Sequence, residues 1–154
     1  MTAELRTFVD IEATPERVWQ VLTDLPAYAE WNPFVTAAEG TVAVGSRLSL
    51  TLLPVNALVP PTLRPTVLKV VPGQRLRIRG RMHRLGLPGL LDADHTMTIT
   101  PRDGGVRLWQ DSHIRGLLSS LMIGSLDRHR LSSFHAMNEA LKDRSEGPRA
   151  APAS

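Results

Sequence analysis

His95 is the residue of this sequence best suited to move a proton. It lies in a stretch where Ala93, Met97 and Ile99 occupy every second position, so in a β-strand these residues share its face. Because that face is apolar, we expect the imidazole to point inward, where it could act as a general acid or base or donate a hydrogen bond to a ligand oxygen. The alternative is a structural histidine that hydrogen-bonds to backbone beneath the neighbouring loop, residues 83–91.

Arg130 is a second candidate, in a helical pattern near the end of the chain. At about 100° per residue it lies within the apolar arc of that helix, between Leu126 and Phe134. A guanidinium that faces a cavity would bind a carboxylate or polarise a carbonyl group. In the alternative, its aliphatic stem packs on the sheet and its charged head reaches solvent.

Further candidates are defined by the faces they share. Gln110 and Ser112 share one face of the last predicted strand with Leu108 and Ile114, so they would line a pocket, or else satisfy buried backbone groups or water. Aromatic residues surround a predicted break between helix and strand, where they would rim a pocket mouth or belong to the core: Tyr28, Trp31 and Phe34. The remaining predicted ligand-binding residues lie on apolar faces of strands and of the last helix: Leu50, Ile78, Met82, Met97, Met122, Leu126 and Phe134.

The strongest pattern of charge is a row of arginines at every second position: Arg75, Arg77, Arg79 and Arg81. This spacing sends all their guanidinium groups to one face of a strand. Such a face could meet phosphates or an acidic partner, but charges opposite an apolar face are also typical of a strand that faces solvent. Because no aromatic residues for base stacking interleave with the row, we predict no nucleic-acid partner.

The composition of the 154 residues is that of a globular domain, with 42% hydrophobic and 21% charged residues. There is no cysteine, which excludes disulfide bonds, a thiol nucleophile and cysteine-ligated metals. The sequence pI is about 10.2 although the formal net charge is only +3, because few groups titrate between histidine and arginine. The high pI is therefore weak evidence for nucleic-acid binding.

Several sequence signatures of catalysis are absent. The sequence has no GxSxG elbow, Walker loop, dinucleotide fingerprint or HExxH motif, and His129 and His135 fall on different faces of the last helix. We therefore predict no cofactor and no metal. No stretch has the roughly 18 consecutive apolar residues of a membrane span, and no signal peptide is recognisable. We predict a cytoplasmic protein without stable membrane insertion, and the sequence does not determine its oligomeric state.

Positioning these residues requires a mixed fold. Alternating apolar residues predict strands over 6–11, 48–52, 67–71, 75–82, 92–100 and 106–115. Thr14-Pro15-Glu16 begins a first helix, and a short second helix covers 27–31. One long helix is predicted over 117–144, followed by a disordered tail, 145–154. We therefore predict a single α+β domain, residues 1–144, in which a curved antiparallel sheet covers the last helix and leaves a mostly apolar cavity.

Short stretches along this order resemble a known superfamily: Trp31-Asn32-Pro33-Phe34, Asp94-His95-Thr96-Met97, Gly116-Leu117, and Phe134 with Met137-Asn138-Glu139-Ala140-Leu141. They look like the SRPBCC, or START-like helix-grip, superfamily, and its polyketide cyclase and dehydrase-like branch is the most similar. The resemblance implies a seven-stranded antiparallel sheet wrapped around a long C-terminal helix, with two short helices after the first strand. It also implies a hydrophobic tunnel, in members that bind lipids, sterols or hormones and in others that cyclise or dehydrate polyketides.

One residue departs from the pattern of that branch. Where its members carry a glutamate on the last strand, this sequence has Ser112, which weakens any mechanism that needs an inward carboxylate. Asp111 would compensate only if the strand register slipped by one residue.

These observations predict binding or transport of a hydrophobic small molecule, such as a lipid or polyketide-like compound, with Arg130, Gln110 and Ser112 at its polar end. The alternative is a cyclase or dehydratase that uses His95 as acid and base and Arg130 to stabilise an oxyanion. A third, weaker hypothesis is a chaperone-like or partner-binding role through the arginine row. Convergence of His95 and Arg130 on one void would favour the enzyme.

Overall fold

The computed structural model describes residues 2–54, 60–82, 85 and 87–147. Its strands and helices follow one another as in an α+β fold. The side chains of residues 2, 121–127 and 129–130 lie outside that description. The strands are β1 (Thr2–Ile11), β2 (Val35–Glu39), β3 (Ser49–Leu52), β4 (Thr62–Leu63), β5 (Thr66–Val71), β6 (Arg75–Arg81), β7 (Asp92–Arg102) and β8 (Gly105–Arg115). The helices are α1 (Pro15–Thr23), α2 (Tyr28–Trp31) and α3 (Ser119–Glu146), with a 3₁₀ turn at Leu25–Ala27.

The strands pair antiparallel in two sheets, ordered β1-β8-β7-β6-β5 and β2-β3-β4. The N–H of Leu48 donates to the carbonyl of Pro65 at 2.9 Å. The N–H of Val67 donates to the carbonyl of Ser46 at 2.8 Å, so backbone hydrogen bonds join the sheets. Pro65 lies between β4 and β5 along the chain, and because it has no N–H group to donate, the strand is interrupted there.

The predicted helix-grip α+β class is confirmed, but the predicted seven-stranded sheet needs correction, because the described residues form eight strands in two linked sheets. The additional strand, β4, has two residues and lies within the proline-rich segment 54–65, outside every strand that the sequence predicted. The sequence pattern also missed β2, whose Thr36-Ala37-Ala38-Glu39 stretch shows little apolar alternation.

The start of α1 is as predicted. The side chain of Thr14 accepts a hydrogen bond from the backbone N–H of Arg17 at 3.1 Å, and Pro15 occupies the first turn. Val18, Val21 and Leu22 lie on the buried face of the helix. The 3₁₀ turn and α2 follow directly, so the two short helices after the first strand are confirmed.

The last helix continues past Arg144, where its end was predicted. Ser145 is buried, and the Glu146 carboxylate accepts hydrogen bonds from the Lys142 ammonium at 2.6 Å and the Glu12 backbone N–H at 2.9 Å. The bond to Glu12 holds the last turn against the segment between β1 and α1, and the helix extends to Glu146. The rest of the predicted tail, 148–154, lies outside the described residues.

The core lies between the two sheets and the helices. Buried residues from α1, β5, β8 and α3 close it, and Leu22, Val67, Leu108 and Leu141 have no exposed surface. The core is closely packed except for a space between the strands and α3, and this space is the candidate site.

Candidate functional site

An apolar cavity of about 130 Å³ lies between the strands and α3. Ten of the predicted ligand-binding residues line it: Tyr28, Phe34, Leu50, Ile78, Met82, His95, Met97, Gln110, Ser112 and Phe134. Alternation brings them together, because inward residues of β3, β6, β7 and β8 all point toward the same space. The predicted void between sheet and helix is therefore present.

Among the described residues, one predicted ligand-binding residue, Trp31, does not line the cavity. Trp31 is half-buried and packs its ring on Tyr28, with 5.0 Å between the ring centroids. Met122, Leu126 and Arg130 lie on α3 with side chains outside the described residues, so their roles remain predictions. The proposed convergence of His95 and Arg130 therefore stays a prediction as well.

The cavity also has lining residues that the sequence interpretation did not select: Leu25, Val35, Leu48, Leu52, Leu63, Pro65, Leu76, Gly80, Ala93 and Met137. The sequence pattern could have indicated some of these residues. Leu76 and Gly80 share the inward face of Ile78 through period-two spacing. Pro65 and Leu63 could not be found in this way, because they belong to a proline-rich segment without a clear period.

Polar side chains form one continuous chain of hydrogen bonds at the cavity wall. His95 Nε2 lies 2.9 Å from Gln110 Oε1, Gln110 Nε2 donates to Asn138 Oδ1 at 2.5 Å, and Asn138 Nδ2 donates to Thr7 Oγ1 at 3.1 Å. Because the Gln110 carbonyl can only accept, the imidazole donates from Nε2 in this arrangement. Gln110, Asn138 and Thr7 are all buried, so the chain satisfies groups that would be costly to leave unpaired.

This polar chain fixes the orientation of His95. The imidazole lies on β7 directly opposite Ser112 of β8, and its ring contacts Phe134 of α3 with 5.2 Å between centroids. The strand register thus places His95, Gln110 and Ser112 on one wall, while the rest of the lining is almost wholly apolar. The cavity is therefore apolar except at this one wall.

The backbone engages the hydroxyl of Tyr28. Its hydroxyl donates to the backbone carbonyl of Leu22 at 2.5 Å, and burial raises the pKa of the phenol above its ordinary value. The group therefore remains protonated and serves to tie α2 to α1.

Asp111 does not supply the inward carboxylate that the related sequences carry at the position of Ser112. The β7–β8 register runs without a shift, with Ser112 inward and Asp111 on the opposite face. The Asp111 carboxylate pairs there with the Arg6 guanidinium at 3.0 Å. The hypothesis that Asp111 compensates is therefore wrong.

The arginine row lies on the outer face of β6, as its spacing predicts. The Asp94 carboxylate of β7 binds Arg77 at 2.6 Å and Arg79 at 2.7 Å. The hydrogen bond from Arg77 is the main reason why the pKa of Asp94 falls to about 2. Two members of the row are thus held by a buried acid, which makes them part of the fold.

Two further observations concern the described part of the chain. It contains no group of three or more histidine, aspartate or glutamate side chains that could hold a metal ion. None of its helices has both the length and the apolar character needed to cross a bilayer.

Sequence comparison decides the family. The model of the family described as polyketide cyclase / dehydrase and lipid transport matches residues 2–146. The chain belongs to the polyketide cyclase / dehydrase and lipid transport family. The predicted resemblance is thereby confirmed over nearly the whole length. No curated protein matches the sequence.

Solved structures share the fold of this family member. A protein from Chromobacterium violaceum is 20% identical with a TM-score of 0.70, and the match covers 94% of this chain and 98% of that one. The norcoclaurine synthase of Thalictrum flavum, a point mutant in complex with a transition-state analogue, is 14% identical with a TM-score of 0.70 and 94% coverage of both chains. The di-domain ARO/CYC StfQ from the steffimycin biosynthetic pathway is 16% identical with a TM-score of 0.73, over 95% of this chain and 51% of that one.

Proposed function

We propose that this protein binds a small hydrophobic molecule, about the size of one aromatic ring, in the cavity between its strands and α3. The observation that carries the proposal is the cavity, about 130 Å³ and lined by apolar side chains except at one wall. Elsewhere, an apolar protein cavity of about 150 Å³ stays dry and accepts benzene. Affinity would come mainly from buried apolar surface, at about 25 cal/mol per Å².

The polar wall supports a preferred orientation for the guest. A ligand with one hydroxyl or carbonyl group would place it beside His95, Gln110 and Ser112, because a polar group buried against the other walls would lose its hydrogen bonds. The apolar part would then contact the ring of Phe134 and the side chains of β3 and β6.

Catalysis is the second candidate, supported by the imidazole of His95 at the cavity wall. The family description and the ARO/CYC and norcoclaurine synthase neighbours include enzymes. Chemistry needs a second group within reach of the same substrate atom, yet Tyr28 donates to a backbone carbonyl and Gln110 is engaged by Asn138. Arg130 would have to supply that group. Binding is therefore the function that the described geometry supports best.

The test is calorimetric titration with toluene, combined with native mass spectrometry for a co-purified compound. Ala93 lines the cavity, so Ala93→Leu adds three carbon atoms to the empty space. We expect wild type to bind toluene and Ala93→Leu to bind it at least about tenfold more weakly, with stability kept or increased because a void is filled.

The matched control is Ala37→Leu, which adds the same atoms at an exposed position of β2 outside the cavity. It should bind toluene as wild type does. Toluene binding that survives Ala93→Leu would place the ligand elsewhere, and wild type that binds neither toluene nor any co-purified apolar compound would refute the proposed function.

A further inference from the structure

A second cleft, of about 580 Å³, lies on the outer side of β5 and β6, and the apolar cavity lies on their inner side. Its volume is within the roughly 300–1,000 Å³ that is typical of small-molecule sites. Among the described residues, its charged lining consists of four arginines and one aspartate: Arg47, Arg64, Arg79, Arg81 and Asp92. Positive charge therefore dominates the cleft, and such a concave surface attracts anions.

The strand register places three of the lining residues in one row across the strands. Thr66 of β5 pairs with Arg79 of β6 on one side and forms a β-bridge with Arg47 on the other. The Cβ atoms of directly opposed residues lie about 5 Å apart. Because all three residues line the cleft, the Thr66 hydroxyl has an arginine on each side. Arg64, two residues before Thr66, lines the same cleft.

The backbone beneath this row is held in place. Three backbone hydrogen bonds of 2.8 to 2.9 Å join residues 45–48 to residues 65–67, and they flank Arg47 and Thr66. A ligand bound here would therefore have to order side chains but no backbone, which reduces the entropy lost on binding.

The arginines of the cleft have donors that the fold does not use. Arg47 and Arg64 are exposed, and within the described residues neither guanidinium has an ion-pair partner. Arg79 donates to the Asp94 carboxylate from Nε at 3.2 Å and from Nη2 at 2.7 Å. These bonds orient the Arg79 guanidinium and leave its Nη1 group for a ligand.

The balance of charge favours a doubly charged anion. Of the four arginine charges, Asp92 offsets one, and Asp94 offsets at most one more because Arg77 shares it. At least two positive charges of the described lining therefore remain. A phosphate monoester carries a charge of about −1.5 to −2 at neutral pH and has three strong acceptor oxygens. Guanidinium groups and a hydroxyl are donors that suit such a group.

We infer that the cleft binds a small molecule that carries a phosphate monoester, with the phosphate over Thr66 between Arg47 and Arg79 and with Arg64 beside it. This site is separate from the apolar cavity, so the inference goes beyond the proposed function and does not depend on it. A single carboxylate suits the cleft less well, because its one negative charge leaves positive charge uncompensated.

The test is calorimetric titration with glycerol 3-phosphate at neutral pH and low ionic strength. We expect wild type to bind this probe, and added salt to weaken the binding. Arg47→Gln/Arg64→Gln should weaken it at least about tenfold, the ratio that one charge-assisted hydrogen bond can supply. Thr66→Val keeps the shape of the side chain but removes the hydroxyl, and it should weaken binding about threefold or more. Both variants should bind toluene as wild type does, which shows that they are folded.

The control is Arg75→Gln/Arg128→Gln, which removes the same charge from exposed positions outside the cleft. It should bind glycerol 3-phosphate as wild type does. An equal loss in the control and in Arg47→Gln/Arg64→Gln would show attraction by net charge alone and overturn the inference. Full affinity in Thr66→Val would overturn the placement of the phosphate over this residue.

Two further probes test the chemical class of the ligand. Succinate carries two negative charges on separate carboxylates, and we expect it to bind at least about threefold more weakly than glycerol 3-phosphate. Succinate bound as tightly would overturn the assignment to phosphate. Binding to phosphatidylcholine vesicles that contain phosphatidic acid, without binding of glycerol 3-phosphate, would assign the arginines to a membrane surface and overturn the inference. Wild type that binds none of these probes would overturn it as well and leave the proposed function, tested with toluene, intact.

Discussion

His95 and Gln110 lie on adjacent strands, and a 2.9 Å hydrogen bond joins Nε2 of the imidazole to Oε1 of the amide. The same amide donates to Asn138 of α3. One buried side chain therefore orients the residue at the cavity wall and also contacts the helix that closes the cavity. Gln110 therefore links the cavity wall to α3.

Replacing Gln110 by leucine should destabilise the protein although the volume changes little. The substitution removes the partners of His95 and Asn138, and unsatisfied buried groups cost about 1–3 kcal/mol each. We expect the free energy of unfolding, measured with urea, to fall by about 2–4 kcal/mol. Gln74→Leu, at an exposed turn position, should leave it almost unchanged. A Gln110→Leu variant as stable as wild type would show that the buried hydrogen bonds contribute nothing net.

Asp94 should make stability depend on pH. Because the folded state lowers the pKa of this carboxyl from 3.8 to about 2, the contribution is complete above pH 4 and disappears as the pH falls through 2. From the pKa difference we expect it to reach about 2 kcal/mol. Asp94→Asn should lose most stability at pH 7 and differ least from wild type near pH 2.

Urea denaturation at both pH values measures this difference. The control is Asp103→Asn, in the exposed turn between β7 and β8, which should follow the wild-type profile. Parallel pH profiles for wild type and Asp94→Asn would contradict the role given to the Arg77 and Arg79 pairs.

Gly116 should tolerate no side chain. Its φ is +130°, and a Cβ there would lie 2.3 Å from the carbonyl oxygen of Leu90. We expect Gly116→Ala to lower the thermal unfolding midpoint strongly, with a loss of about 3 kcal/mol or more from strain and clash together. Gly73 also has a positive φ, +72°, but it lies in the left-handed region that alanine can reach and has open space around the added atom, so Gly73→Ala should cost only about 1 kcal/mol. Equal losses in the two variants would show that neither the clash with Leu90 nor the φ of +130° adds to the cost at Gly116.

The end of the domain can be tested by two truncations. Ending the chain after Arg144 removes the buried Ser145 and the Glu146 carboxylate that binds Lys142 and the Glu12 N–H. We expect this truncation to cost about 1–3 kcal/mol in chemical denaturation. Ending it after Gly147 should leave the free energy of unfolding unchanged, and a matching loss there would place folded contacts beyond residue 147.

The sequence predicted the inward faces well because alternation is a local property. His95, Met97, Gln110 and Ser112 reach one cavity simply because each lies on the apolar side of its strand. The family likewise followed from short local stretches. Which residues of different strands come close to one another, in contrast, depends on the order of the strands in the sheet.

Long-range features were therefore harder to predict. Nothing local to Gln110 indicates that Asn138, 28 residues further along the chain, accepts from its amide. The arginine row gave no sign that Asp94 would engage two of its members, because that pairing depends on the β6–β7 register. The break at Pro65 was visible as a proline but not as the boundary between two sheets.

The hydrogen-bonded chain from His95 to Thr7 touches β7, β8, α3 and β1. Sliding α3 by a single residue would move Asn138 by about 1.5 Å along the axis and swing it by about 100°, which no partner could follow. The hydrogen bonds of Asn138 thus fix α3 in one position along the strands. Apolar lining residues such as Ala93 can therefore differ in size, and so change the shape of the cavity, without changing the position of α3 on the strands.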